Sequence, residues 1–269
     1  MSTVEITRAA CALSSTIKHL SCNRRFHRKR TFIPHNFSDF RRPGRIRTFT
    51  VCMSSASNPL EVCVKASVST PNKLGDCPFC QRVLMTLEEK YLPYDVKLVD
   101  LTDKPEWFLK INPEGKVPVI KLDGKWVADS DIITQSLEEK YPNPPLLTPP
   151  EKASVGSKVL PAFIGFLKSK DPSDGTEQAL LNELSFLNDY IKENGPFVNG
   201  KEVSAADLSL SPKLHHMEIA LSHYKNWSVP DSLPYLKTYM KSMFLRDSFV
   251  KTCAAREDVV TGWRPKVFA

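Results

Sequence analysis

Apolar and polar residues recur with two different periods in the first patterned part of this chain. Residues 60–66 alternate as a half-buried strand does, and residues 78–91 place apolar side chains three and four positions apart, as an amphipathic helix does. The polar positions of that helix are expected to face solvent for the most part: Gln81, Arg82, Glu88, Glu89 and Lys90. This strand and helix predict the start of a β-α-β unit.

The pattern continues with a second strand, a short helix, a hairpin and a further helix. These elements are expected at residues 94–99, around 105–109, at 117–122 with 125–128, and from 129 onward. Asp123-Gly124 between two strand-like runs favours a hairpin turn. The order β-α-β-α-β-β-α predicts an α/β thioredoxin-like N-domain at residues 57–140.

Beyond residue 140 the pattern changes, first to prolines and then to helical stripes. Residues 141–150 contain five prolines, which cannot continue a helix and predict a linker between two domains. The stripes are Leu180, Leu184, Leu187 and Ile191, then Leu210, Leu214, Met217 and Leu221, then Leu236, Met240, Met243 and Phe244. Residues 151–269 are therefore predicted to form an all-α C-terminal domain.

One helix of that domain begins with a capping signal. Ser204 offers a hydroxyl at the N-cap and Asp207 a carboxylate three residues later, so each can satisfy a backbone N–H group of the first turn. Because capping accounts for this spacing, both residues are predicted to be structural and not catalytic.

The positive charge of the chain lies in its first 55 residues. They hold eleven lysines and arginines against Glu5 and Asp39, a local charge of +9 in a chain whose total is +7, so the remainder carries −2. The segment is rich in Ser, Thr and Arg and lacks a long apolar core, which is typical of a transit peptide and not of a secretory signal. Residues 1–56 are predicted to be a disordered plastid transit peptide; a basic arm that binds nucleic acid is the alternative.

The length of the apolar runs and the number of cysteines further restrict the class of protein to which the chain can belong. No run of about 18 apolar residues occurs, so no transmembrane helix is expected. Of seven cysteines, four lie beyond the leader, namely Cys63, Cys77, Cys80 and Cys253. Four are too few for a disulfide scaffold in a chain of this size, which fits a reducing compartment.

Cys77 and Cys80 form a CxxC pair between the first strand and the first helix. A zinc site is the less favoured interpretation, since zinc takes four ligands and no second CxxC or HxxxH pair is present; no metal is expected. A thiol at a helix N-terminus meets unpaired N–H groups and the positive end of the helix dipole, which stabilise the thiolate. Cys77 is the predicted nucleophile, and Cys80, one turn deeper, is either a resolving thiol or a small core residue.

Two further pairs of residues extend this site. Val117-Pro118, at the start of the third strand, suits a cis bond that would present the Val117 backbone to a peptide, with an ordinary edge-strand proline as the alternative. Asp129-Ser130, at a helix start, offers N–H groups and a hydroxyl to a carboxylate, with simple N-capping as the alternative. In this order along the chain, the three features together are a stronger signal than any one of them.

With these features and the Ser-x-x-Asp box in a helical C-domain, the chain resembles the glutathione transferase superfamily. Residues 61–66, Glu-Val-Cys-Val-Lys-Ala, and 74–83, Leu-Gly-Asp-Cys-Pro-Phe-Cys-Gln-Arg-Val, closely resemble plant dehydroascorbate reductases. The likeness covers about residues 58–269. Together with the leader, it implies a plastid-targeted enzyme of the chloroplast stroma.

The resemblance implies a role for each residue of the site. Cys77 would be the nucleophile, with Lys65 and Asp76 beside the dehydroascorbate pocket and Pro118 in a structural role. Glutathione would be held by Lys104, Val117, Asp129, Ser130, His216 and Trp263, the last two by a looser match. A lysine ammonium can stabilise both a thiolate and an oxyanion-like substrate. A plain surface lysine is the alternative for Lys65, and interface packing is the alternative for His216.

The implied function is glutathione-dependent reduction of dehydroascorbate to ascorbate by a ping-pong thiol mechanism, for ascorbate recycling and antioxidant defence. Glutathione would be a co-substrate, with no bound cofactor, and transferase or thioltransferase turnover a side activity. A monomer without nucleic-acid partners or stable membrane association is expected. The alternatives are a glutaredoxin-like or omega-type enzyme that removes glutathione from proteins, a member of the chloride-intracellular-channel-like family, and a binding-only carrier of glutathione conjugates.

Overall fold

A four-stranded mixed sheet forms where the alternating pattern predicted strands. The computed structural model describes residues 58–268, so the predicted leader at residues 1–56 lies outside the described residues. The strands are β1 (Leu60–Lys65), β2 (Tyr94–Val99), β3 (Val119–Leu122) and β4 (Lys125–Ala128). They lie in the order β2-β1-β3-β4; β1 and β2 are parallel, and the other two pairs are antiparallel.

Three helices cover the two faces of this sheet: α1 (Pro78–Glu89), α2 (Glu106–Ile111) and α3 (Ser130–Lys140). Val62 and Val64 of β1 belong to the apolar core shared with α1 and α3, whereas Cys63 belongs to a second core that includes Phe108 of α2. Alternate residues of a strand point to opposite faces, so β1 is buried on both sides. The predicted thioredoxin-like order of elements is confirmed.

The rest of the described chain is helical, as the stripes predicted. Its helices are α4 (Val159–Lys168), α5 (Thr176–Asn194), α6 (Ala205–Lys225), α7 (Pro234–Phe244), α8 (Asp247–Thr252) and α9 (Arg256–Val267). The three predicted stripes lie on α5, α6 and α7 and contribute to one shared apolar core. Among the described residues, no helix combines the length and the apolar character needed to cross a membrane.

The polar face expected on α1 is wrong at three of its five positions. Gln81, Arg82 and Lys90 are only 4%, 8% and 3% exposed. The reason is that α1 packs against α3 on one side and against α6 and α8 on the other, so little of its surface reaches solvent. The amphipathic pattern predicted the helix correctly, but it carries no information on how many other helices pack against it.

Lys90 shows how such a buried charge is accommodated. Its Nζ pairs with the Glu138 carboxylate at 2.7 Å and donates to the carbonyl oxygens of Tyr141 and Pro144 at 2.7 and 3.0 Å. Glu138 also accepts a hydrogen bond from the Leu146 N–H. The ion pair therefore fixes the start of the proline-rich segment to the ends of α1 and α3.

The predicted capping box is present at the start of α6. Asp207, fully buried, accepts hydrogen bonds from the Ser204 N–H and hydroxyl, from the Val198 N–H and from the Tyr239 hydroxyl, at 2.9 to 3.0 Å. Burial raises the pKa of Asp207, and these four donors oppose that effect. The box thus joins the start of α6 to α7 and to the chain before it.

Candidate active site

Cys77 lies at the N-cap of α1. Its backbone is extended (φ −130°, ψ 107°), and its Sγ accepts a hydrogen bond from the Cys80 N–H at 3.4 Å. Pro78 occupies the first helical position, where no N–H donor is needed. The half-buried sulfur therefore takes the place of the oxygen acceptor of an ordinary helix cap, at the positive end of the helix dipole.

The surroundings of the two cysteines push their pKa values apart. The pKa of Cys77 is lowered, chiefly by a hydrogen bond from the Cys80 thiol and further by the N–H groups of Cys80 and Phe79 and the Lys65 ammonium, although burial opposes this. Burial, followed by the interaction with Cys77, raises the pKa of Cys80 well above its ordinary value. Cys77 is therefore the thiol that ionises first.

Lys65 and Asp76 form an ion pair next to Cys77. Lys65 Nζ donates to Asp76 Oδ1 at 2.7 Å, and the two side chains are 19% and 6% exposed. A hydrogen bond from the Gly75 N–H to the Lys65 carbonyl, at 2.8 Å, holds the loop against the end of β1 and brings the pair together. Burial raises the pKa of Asp76, with Lys65 acting in the opposite direction. The ammonium thus pairs with a carboxylate and also helps to lower the pKa of Cys77.

The Val117-Pro118 bond is cis, as predicted. β3 starts two residues later than expected, at Val119, which pairs with Cys63 of β1 in antiparallel register. Continuing that register by two places would bring Val117 level with Lys65. Since Cys77 and Val117 also pack against the same apolar core, the Val117 backbone lies at the end of the sheet that carries Cys77.

Lys104 lies outside this arrangement, exposed in the segment before α2. Its side chain folds over Gly115, where a Cβ would meet Lys104 Nζ at 2.8 Å; the positive φ of 63° at this position also favours glycine. Gly115 lies two positions before Val117 in the sequence, so the Lys104 side chain lies over the segment that leads to Val117.

The start of α3 combines capping with a contact that the sequence did not predict. Asp129 is the N-cap, with a φ of 74°, and its carboxylate accepts hydrogen bonds from the N–H groups of Asp131 and Ile132 at 2.8 and 3.3 Å. Ser130 is buried, and Arg82 of α1 reaches both its hydroxyl (3.4 Å) and the Asp131 carboxylate (2.5 Å). Arg82 thus connects the helix that carries Cys77 to the predicted glutathione contact at Ser130.

His216 and Trp263 form a buried pair. Trp263 Nε1 donates to His216 Nδ1 at 3.1 Å, and the two residues are 1% and 5% exposed. Burial, with lesser effects from His215, Lys65 and Lys266, lowers the pKa of His216 to about 3. The imidazole is therefore neutral at physiological pH and accepts a hydrogen bond. The structure shows His216 as the buried partner of Trp263, and its role toward glutathione stays a prediction.

The structure thus places the residues singled out from the sequence in several groups. Cys77, Lys65 and Asp76 lie together, Val117 lies just before β3, and Ser130 starts α3. Lys104 lies over Gly115, and His216 and Trp263 form a buried pair between α6 and α9. Within residues 58–268, no three His, Cys, Asp or Glu side chains are placed to hold a metal ion.

Two residues of α9, Asp258 and Gly262, also reach the loop that carries Asp76. Sequence reasoning missed both of them, as it missed Arg82. No motif marks these positions, and a lone Asp or Gly in a helix is an ordinary residue until its contacts are known.

Comparison with known proteins places these features in a family. Residues 76–140 match the glutathione S-transferase N-terminal domain. The chloroplastic glutathione S-transferase DHAR3 of Arabidopsis thaliana is 70% identical over 226 residues, which cover 84% of this chain and 87% of the relative. The probable glutathione S-transferase DHAR2, chloroplastic, of Oryza sativa subsp. japonica is 70% identical over 213 residues, covering 79% and 78% of the two chains.

A solved structure is similar over the same region. The crystal structure of Chlamydomonas reinhardtii dehydroascorbate reductase matches with a TM-score of 0.69 at 34% sequence identity, covering 78% of this chain and 99% of that one. The match supports the arrangement of a thioredoxin-like part followed by helices.

Proposed function

The chain belongs to the dehydroascorbate reductases of the glutathione transferase superfamily, and we propose that Cys77 is the nucleophile with which it reduces dehydroascorbate at the expense of glutathione. The observation that carries this assignment is the position of Cys77 at the N-cap of α1, beside the Lys65–Asp76 pair. The pKa of this thiol is lowered and the residue is half-buried, so Cys77 ionises more readily and is not closed off within the core.

The first half-reaction reduces dehydroascorbate. The Cys77 thiolate attacks an electrophilic carbonyl carbon, forming a C–S bond while the carbonyl oxygen takes up a proton. Water then attacks the sulfur, the C–S bond breaks, and its electron pair stays with the carbon skeleton, which leaves as ascorbate. Dehydroascorbate gains two electrons, and Cys77 loses two and becomes a sulfenic acid.

The second half-reaction consumes two molecules of glutathione. The first thiol condenses with the sulfenic acid, so that a mixed disulfide forms and the oxygen leaves as water. The second attacks the glutathione sulfur of that disulfide, which releases glutathione disulfide and returns Cys77 to its starting state. A cysteine of low pKa is a good leaving group in this last step, so the features that activate the nucleophile also assist its release.

Each substrate is assigned to one side of Cys77. Lys65 and Asp76 would bind dehydroascorbate: the ammonium faces the oxygen that becomes negative during attack, and the carboxylate accepts hydrogen bonds from substrate hydroxyls. Glutathione would be held, by direct contact or through the elements that they support, by the residues that the resemblance named, namely Lys104, Val117, Asp129, Ser130, His216 and Trp263. Val117 and Ser130 offer a strand-end backbone and a hydroxyl near Cys77, whereas buried His216 and Trp263 would act by supporting α9.

The cellular context follows from the relatives. The chain is a chloroplast protein, like the two plant relatives with 70% identity. We propose further that the protein lies in the stroma and that residues 1–56 are its leader. We also propose domains at 57–140 and 151–269 joined by a linker at 141–150, a monomeric state and no stable membrane association. N-terminal sequencing of the protein imported into isolated chloroplasts, gel filtration and liposome flotation test them.

The decisive experiment compares Cys77→Ser with Cys80→Ser in an assay of glutathione-dependent dehydroascorbate reduction. Cys77→Ser should abolish turnover while its circular dichroism spectrum and melting temperature stay those of the wild type. Cys80→Ser, which keeps a hydroxyl donor next to Cys77, should keep most of the activity. Mass spectrometry of wild-type protein treated with dehydroascorbate and then one equivalent of glutathione should find glutathione on Cys77. Turnover by Cys77→Ser would contradict the proposal.

A further inference from the structure

Asp258 is a buried carboxylate that has no part in the proposed chemistry, yet it holds the loop that leads to Cys77. It lies in the first turn of α9 and is 5% exposed. Its Oδ1 accepts hydrogen bonds from the hydroxyls of Ser67 and Ser69, both at 2.5 Å. The two serines belong to the segment between β1 and the CxxC pair, so a carboxylate almost two hundred residues away in sequence fixes the start of the active-site loop.

Gly262, one helical turn beyond Asp258, touches the same loop. Residues four apart lie on one face of a helix, so Asp258 and Gly262 point the same way. A Cβ at Gly262 would overlap the Asp76 carboxylate, which means that the backbone of α9 lies directly on Asp76. Asp76 cannot move aside cheaply, because it is buried and paired with Lys65.

Hydrogen bonds transmit the position of Ser67 to Cys77. The Ser67 hydroxyl also accepts from the Thr70 N–H at 2.9 Å, and the Ser67 N–H donates to the Lys73 carbonyl at 2.9 Å. The Gly75 N–H then binds the Lys65 carbonyl, and the Cys77 N–H binds the Gly75 carbonyl at 3.0 Å. The loop is thus a connected network whose outer end is held by Asp258 and whose inner end carries Cys77.

We infer that Asp258 is a positioning residue for the dehydroascorbate half-reaction: through Ser67 and Ser69 it holds the loop so that Asp76 and Lys65 face the substrate beside Cys77. The inference rests on the proposed function. It concerns the dehydroascorbate half-reaction alone, because the loop that Asp258 holds is the one that positions Lys65 and Asp76. The predicted glutathione contacts Val117 and Ser130 lie just before β3 and at the start of α3, whereas the hydrogen bonds of the Asp258 carboxylate go to Ser67 and Ser69.

The ordinary alternative is that Asp258 only stabilises α9. A carboxylate in the first turn of a helix is favourable because of the helix dipole alone. Ping-pong kinetics separate the two roles, because kcat/KM for each substrate reports only on the half-reaction of that substrate. A loss of structure lowers both values together, whereas misplacement of Lys65 and Asp76 lowers mainly the value for dehydroascorbate. The low pKa of Cys77, which assists the glutathione step, comes more from the Cys80 thiol and the N–H groups of α1 than from Lys65.

The test compares Asp258→Ala, Asp258→Asn and Ser69→Ala with Glu257→Gln as the matched control. Glu257 is the neighbouring exposed acid in the same first turn, so its substitution removes a similar dipole interaction without touching the loop. In Asp258→Ala, kcat/KM for dehydroascorbate should fall about tenfold, which is the size of effect that a small misplacement of reacting groups produces. The value of kcat/KM for glutathione should stay within about twofold of the wild type. Asp258→Asn and Ser69→Ala, which keep part of the contact, should lie between this variant and the control.

Each outcome decides the matter. Parallel losses in both kcat/KM values, or wild-type values in Ser69→Ala and Asp258→Asn, would overturn the inference while leaving the proposed function intact. Ser69 is exposed, so its alanine variant should fold even if Asp258→Ala does not. A wild-type protein that fails to turn over in the same assay would instead overturn the proposed function, and this inference with it.

Discussion

Trp263 donates a hydrogen bond from its indole nitrogen to His216 Nδ1, and this contact joins α9 to α6 inside the core. It requires a neutral imidazole, since a protonated ring has no free nitrogen to accept the bond. Phe163 packs edge-on against the Trp263 ring, with ring centroids 4.8 Å apart, and fixes the indole from a second side. The position of α9 over the active-site loop therefore depends on a histidine that resists protonation.

This dependence predicts how stability changes with pH. The pKa of His216 is about 3 in the folded protein and about 6.5 when the chain is unfolded, so the unfolded chain binds a proton first as pH falls. The contribution of His216 to stability is complete above about pH 6.5 and is lost progressively toward pH 3, by up to about 1.4 kcal/mol per pH unit. Urea unfolding between pH 7.5 and 5 measures it.

His216→Gln is the comparison variant, because its amide oxygen can accept from Trp263 and does not titrate. The stability difference between wild type and variant should shrink as pH falls below about 6. Titrating groups that lie far from His216 contribute to both proteins and cancel in the difference. Parallel pH profiles would contradict the prediction.

Lys65 should control the reactivity of Cys77. Because the ammonium helps to lower the pKa of Cys77, Lys65→Met should shift the pH midpoint of Cys77 alkylation by iodoacetamide to a higher value. In the wild type, the midpoint should lie below the value of about 8.5 of a free cysteine. Lys73→Met is the matched control, since Lys73 is an exposed lysine of the same loop; an equal shift in both variants would show that the contact is not specific.

Lys90→Met should destabilise the fold strongly. It removes the partner of Glu138 and leaves two carbonyl oxygens of the proline-rich segment without a donor, a loss of about 3 to 5 kcal/mol for breaking a buried pair. Chemical unfolding gives the value. The double variant Lys90→Met with Glu138→Leu should recover part of the loss, whereas Lys237→Met, at the exposed pair with Asp231, should leave stability unchanged.

Two helical glycines should respond in opposite directions to the same substitution. At Gly165 of α4, no atom lies within 4 Å of the new Cβ, so Gly165→Ala should gain up to about 1 kcal/mol from helix propensity. Gly262→Ala gains the same propensity but overlaps Asp76, so it should lower both the melting temperature and kcat/KM for dehydroascorbate. Equal stabilisation by the two variants would mean that α9 is not tightly packed on the loop.

Local features of the site could be predicted because each depends on neighbours in sequence. Cys77 and Cys80 are three residues apart, which is one helical turn, so a single motif is sufficient to predict the thiol at the N-cap. The capping box of Ser204 and Asp207 is of the same kind. Alternation and helical spacing predicted most strands and helices, with errors at their ends, because those periods reflect burial on one face.

The burial of Arg82 and Lys90 on α1 could not be predicted in this way, since periodicity distinguishes an apolar from a polar face but not the number of helices around them. In the same way, Asp129 was expected both to cap a helix and to hold glutathione, and the structure shows its carboxylate in the cap. Both the burial of α1 and the role of the Asp129 carboxylate depend on which side chains come into contact across the fold.

The order of elements, the family and the thiol at the start of α1 could all be predicted from short segments, because their chemistry acts over one turn or one strand. The surroundings of that thiol depend on how the chain packs: the Lys65–Asp76 pair, the Arg82 link to α3 and the contact of Asp258 with Ser67, across 191 positions of sequence. Contacts of that separation depend on how helices and sheet pack together, and a position in one helix carries no local signal of its distant partner.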